Sequence, residues 1–168
     1  MRATLDKFLR RTKNKDIYFL HADMWSYDIN KYPNALNCGI QEPTMVNIAS
    51  GLASQGKKVI IYGVAGFVLY KAYEQIKLNV KGYAEKSGSV IFVNAGHNGC
   101  YSIAGRGHLV EDDYKLCDAL EMDLFTPKDR HSFVKDLRDG LSNNGARFIR
   151  LGWDNEVWDK LKDENDRE

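Results

Sequence analysis

At 168 residues the chain is the right length for one domain with a single core. Its 43% hydrophobic content is ordinary for a globular protein and excludes disorder as the default. The 24 Lys and Arg residues nearly balance 23 Asp and Glu, so there is no net field to draw a polyanion, and no nucleic acid partner is expected. Three widely spaced cysteines (Cys38, Cys100, Cys117) include no C-x-x-C pair, which argues against a disulfide framework or zinc knuckle and for a reducing compartment. No stretch approaches the ~18–20 apolar residues of a membrane span, and the charged start has no signal-peptide core. The expectation is a soluble, cytoplasmic protein with no membrane contact.

In chain order, residues 1–15 carry Lys7, Arg10, Arg11, Lys13 and Lys15 and read as an N-terminal basic helix with a solvated face; phosphate contact is the alternative. Residues 17–20 are short and rich in β-branched and aromatic side chains, as strands are, and residues 36–39 are a weaker candidate. Met45, Ile48, Ala49, Leu52 and Ala53 then recur at helical spacing, preceded by Pro43 where the first turn tolerates it. Strands follow at 58–62 and 90–93, with a helix expected over 67–80 between them. The glycine- and histidine-rich stretch 96–113 has weak periodicity, and a connection longer than ~12–15 residues in a compact domain is usually functional or disordered. Residues 122–125 (weak) and 147–151 complete the strands, with a helix at 131–141, and 154–168 reads as a short charged helix or fraying tail. This alternation predicts an α/β fold: a single three-layer α/β/α domain over 16–153, with a mainly parallel sheet of about six strands.

Several ordered landmarks carry a more specific message. They are Leu20-His21-Ala22-Asp23-Met24; Asn37-Cys38-Gly39-Ile40-Gln41-Glu42-Pro43-Thr44-Met45, then Ile48-Ala49-Ser50-Gly51-Leu52-Ala53; Tyr62 through Phe67 with Tyr70, Tyr73 and Gln75; Gly105-Arg106-Gly107-His108; and Phe125-Thr126-Pro127-Lys128-Asp129. In this order and spacing the chain resembles the pyrimidine-binding domain of transketolases and deoxyxylulose-phosphate synthases, over residues 16–151.

That resemblance implies thiamine diphosphate as cofactor, with Mg2+ held mainly by a partner subunit. It implies that Glu42 hydrogen-bonds N1′ of the aminopyrimidine, so that a shared proton favours the 1′,4′-imino tautomer, whose N4′ can take up the thiazolium C2 proton. Read alone, a glutamate at a helix start is equally a cap and dipole partner. Phe67, Tyr70 and Tyr73 match aromatics lining the aminopyrimidine pocket, where offset stacking holds a flat ring; an aromatic stripe at helical spacing is also ordinary core. Asp23 matches an aspartate near the thiazolium, or caps the next element. His108, and His97 with a one-residue shift, match substrate-contacting histidines that relay protons, against a plain loop role. No metal site is expected in this chain, the rival being His108, Glu111 and Asp112.

Three departures qualify the match. Ala104 stands where the family has an aspartate that recognises a substrate hydroxyl, while Arg106, added nearby, offers a phosphate or carboxylate contact. The Gly-Asp-Gly…Asn motif that holds magnesium and the diphosphate is absent, and residues 154–168 are too few for a third domain. The expectation is therefore the pyrimidine-binding subunit of a two-subunit, transketolase-like transferase that makes or breaks a carbon–carbon bond next to a carbonyl. It would be active only with a diphosphate-binding subunit, in an α2β2 assembly, on a keto acid or sugar. The alternatives are a subunit of a thiamine-diphosphate-dependent 2-keto acid decarboxylase and a non-catalytic scaffold domain.

Overall fold

The computed structural model describes residues 1–25, 27–97, 104–110 and 112–152. The expected tail at 154–168, Cys100 and Glu111 lie outside the described residues.

Six strands make one sheet: β1 (Ile17–His21), β2 (Ala35–Asn37), β3 (Lys58–Val64), β4 (Ser89–His97), β5 (Asp123–Phe125) and β6 (Gly145–Gly152). Their order is β2-β1-β3-β4-β6-β5, and every pair is parallel. The four central strands are the short, β-branched runs of the sequence, apolar on both faces because helices cover both. On one face α2 (Glu42–Ser54), α3 (Ala65–Lys71) and α5 (Asp113–Ala119) enclose Met45, Ala49, Val68, Val90, Phe92, Cys117 and Phe148. On the other, α1 (Arg2–Arg11) and α6 (Arg130–Ser142) cover Phe19, Tyr62, Ile91, Val93, Phe133 and Ile149. The three-layer α/β/α arrangement is as expected, and the sheet is parallel throughout its described pairs.

The basic start is helical, and it is more than a solvated face. Met1, Leu5 and Leu9 are buried in the second core, at about 1.5–3 kcal/mol for each fully buried leucine. Buried Asp6 accepts two bonds from Arg10 Nε (2.9 and 2.8 Å) and one from the Tyr32 hydroxyl, which in turn accepts from Trp25 Nε1 at 2.8 Å. This chain ties α1 to the segment after β1. Lys7 and Arg11 face Arg130 and Arg138 of α6 across a cavity of about 360 Å³.

The helix expected over 67–80 is not continuous. Helix α3 begins at Ala65 and ends at Lys71; Ala72 (φ −107°, ψ 17°) breaks it, and α4 (Tyr73–Gln75) runs into a π-helical turn, Ile76–Val80. Val68, Leu69, Ala72, Ile76 and Val80 are all fully buried. The apolar spacing that suggested one helix is therefore kept, but by a relay of α and π turns.

Candidate active site

All the candidate residues come from the carboxyl edge of the sheet. The chain runs from β1 outward to β2, then returns to the other side of β1 to make β3. In an open parallel sheet such a reversal leaves a crevice at the carboxyl ends of the strands, where ligands bind. Asp23 follows β1, Glu42 follows β2, Phe67 and Tyr70 follow β3, and His97, Arg106 and His108 end or follow β4.

Glu42 is the first residue of α2 and is buried at 3% exposure. Gln41 stands at the cap position without a side-chain cap bond, and Pro43 fills the first turn, where no N–H is needed. The Glu42 carboxylate meets the Lys71 ammonium at 3.6 Å. That ammonium lies 4.5 Å from the centroid of the Phe67 ring, and Phe67 in turn packs edge-on against the His108 imidazole at 4.8 Å between centroids. Glu42, Lys71, Phe67 and His108 thus form one continuous cluster drawn from α2, α3 and the loop after β4.

Two glycines bring that loop in. At Gly96 (φ +124°), where the β4–β6 register shifts, a Cβ would come 2.9 Å from the His108 carbonyl oxygen. At Gly66 a Cβ would press at 3.3 and 3.4 Å on the carbonyls of Leu109 and Gly107. A bare backbone is required at Gly96 and eases the approach at Gly66, so that the turn Arg106–His108 lies against β4 and α3.

Asp23 is held in the left-handed region (φ 51°) by Asn37, which opens a landmark of the sequence but has no role assigned there. The Asn37 side-chain oxygen accepts from the backbone N–H of Asp23 (3.2 Å) and of Gly39 (2.9 Å), and its amide donates to the Asp23 carboxylate at 3.0 Å. One asparagine therefore couples the loop after β1 to the loop that delivers Glu42. An Asn between a strand and a glycine is the only other sequence signal it gives.

Tyr70 is half exposed, and its hydroxyl donates to Asp112. With Arg106, Leu109, Asp112 and Lys115 it lines a cavity of about 410 Å³ that carries two cations and one carboxylate. Behind it, Arg150 of β6 grips buried Asp113 through Nε and Nη2 at 2.7 and 2.6 Å, fixing α5 to the sheet. Tyr73 packs on the first core, with the Lys77 ammonium 6.0 Å from its ring centroid. His97 is the last residue of β4. Of the rival metal trio, His108 and Asp112 are described. Lys71, in the centre of the cluster, gives no signal in the sequence beyond its place one turn after Phe67.

In structure the chain is similar to a split-gene transketolase solved as an inactive β4 tetramer, with a TM-score of 0.74 and 24% identity, over 90% of this chain and 50% of that one. The chain has a transketolase-like α/β fold. No family model matches it. In sequence it is similar to two transketolase subunits and one protein of unassigned activity. An apulose-4-phosphate transketolase subunit of Actinobacillus succinogenes is 27% identical over 125 residues, 73% of this chain and 39% of that protein. The protein of the same name from Phocaeicola vulgatus is 36% identical over 61 residues, 36% of this chain and 19% of that protein. An uncharacterized 33.6 kDa protein in the fasciation locus of Rhodococcoides fascians is 28% identical over 121 residues, 71% of this chain and 38% of that protein. The chain thus spans two fifths or less of these relatives and half of the solved transketolase chain. On this transketolase-like fold the Glu42 cluster sits at the sheet's reversal point.

The cluster suits the aminopyrimidine of thiamine diphosphate. A buried carboxylate can share a proton with a ring nitrogen, and Phe67 offers a face on which a flat ring can stack.

Proposed function

We propose that this chain is the pyrimidine-binding part of a two-subunit, transketolase-like thiamine-diphosphate enzyme, a transferase making or breaking a carbon–carbon bond beside a carbonyl. The observation that carries the reading is the Glu42–Lys71–Phe67–His108 cluster at the reversal point of a transketolase-like sheet. When bound, thiamine diphosphate supplies the carbon nucleophile. Glu42 holds a proton at the aminopyrimidine N1′, Phe67 and Tyr70 orient the ring, Tyr73 supports them from the core, and Asp23 faces the thiazolium. His108 and His97 contact the substrate and move its protons. Arg106 binds a substrate phosphate or carboxylate, a role that Lys115 in the same cavity supports. Mg2+ and the diphosphate are held by a partner subunit, in an α2β2 assembly. The β4 tetramer of the structurally similar transketolase is inactive, and the same is expected of this chain alone.

The test is a titration of the chain, a diphosphate-binding partner subunit, and their mixture with thiamine diphosphate and Mg2+. Tight binding is expected only in the mixture. Glu42→Gln should lower turnover by about 10²–10⁴-fold with the mixed assembly intact. Undiminished turnover in that variant would sink the assignment.

A further inference from the structure

We propose that the Lys71 ammonium and the cofactor's aminopyrimidine are mutually exclusive occupants of one place, so that Lys71 acts as a displaceable stand-in guarding Glu42. The inference rests on the thiamine-diphosphate reading above. A ring stacked on Phe67 with one edge at the Glu42 carboxylate must lie between those two groups. The ammonium is already there, 3.6 Å from the carboxylate and 4.5 Å from the ring centroid. It supplies in small form what an aminopyrimidine supplies: hydrogen-bond donors for a carboxylate and positive character for an aromatic face.

The three partners differ in freedom. The Glu42 side chain is 4% exposed and fixed at the helix start, and Phe67 is clamped by His108. The Lys71 side chain is 49% exposed, on a flexible four-carbon stem. The lysine is the part that can leave, swinging into solvent as a ring arrives. Until then it gives the buried carboxylate a counter-charge. Cofactor binding therefore works against a standing ion pair and a cation–aromatic contact, and it weakens by the strength of both.

The proposal makes Lys71 a positioning residue, and NMR reads it directly. Lysines of the full chain are ¹³C-dimethylated, which preserves their charge, the labelled chain is mixed with the diphosphate-binding partner subunit, and thiamine is titrated in as its diphosphate with Mg2+. One signal, missing in Lys71→Met and restored to the bulk position in Phe67→Leu, should be shifted upfield by the Phe67 ring current. Saturating thiamine should return it to the bulk position, and Lys71→Met should bind thiamine about 3–10-fold more tightly than the wild type. Absence of a shifted signal, a signal that stays shifted at saturation, or equal or weaker binding by Lys71→Met each overturns the stand-in role. Glu42→Gln separates the two ideas. Thiamine binding that Glu42→Gln leaves unchanged, or no binding by any form, overturns the cofactor reading and the stand-in with it.

Discussion

The imidazole of His21 sits at the end of β1 with 2% exposure, and neither ring nitrogen has a hydrogen-bond partner among the described residues. Burial lowers its pKa from the ordinary value, with the Asp23 carboxylate opposing. The unfolded chain therefore takes up this proton first. The stabilisation is full above about pH 6.5 and is lost as the pH falls from there through the depressed folded value. Urea unfolding at several pH values should show stability falling on the acid side, and His21→Leu should flatten that fall; an unchanged slope would assign it to other groups. Cys117 is buried against α5 and the sheet, and desolvation first, then the Asp113 carboxylate, push its thiol up to about 12. It should resist alkylation at neutral pH in the native chain and react fully in denaturant, as read by peptide mass mapping. Glu42 and Phe67 are marked out in the sequence only by the resemblance, since each stands in one of its ordered landmarks. The roles of Lys71 and Asn37 are not legible there, because they arise from contacts between segments far apart in sequence.

At the scale of elements, apolar spacing located every central strand but could not tell a straight helix from a broken one. A residue buried every three or four positions satisfies α and π turns alike, so residues 67–80 read as one rod. The break at Ala72 has a structural use. It ends α3 just after Lys71, within reach of Glu42, and lets Tyr73 turn to the core. Helix α5 is not legible in the sequence because it follows a glycine- and histidine-rich run and is too short for Leu116 and buried Cys117 to set a period; the Arg150–Asp113 pair anchors its start. The entry to β4 depends on Gly88, where a Cβ would lie 2.4 Å from the carbonyl oxygens of both Ala53 and Lys57. Neither is a movable side chain. Gly88→Ala should therefore cost about 1–3 kcal/mol, seen as a lower denaturant midpoint with an unchanged slope.

For the molecule as a whole, alternating strands and helices announced a parallel, helix-covered sheet. The order β2-β1-β3-β4-β6-β5 was not legible, since strand order depends on which crossovers pack and not on any local pattern. That order carries a consequence for how the protein is made. Strand β6 lies inside the sheet, between β4 and β5, and among the described residues β5 pairs with β6 alone. As the nascent chain leaves the ribosome, β1 to β4 can pair in turn, but β5 emerges with no neighbour to receive it. Until residues 145–152 have emerged, the backbone edge of β4 opposite β3 waits without the strand that covers it. A ribosome stalled before residue 145 is expected to hold out a sheet with the β4 edge unpaired, for chaperones to cover.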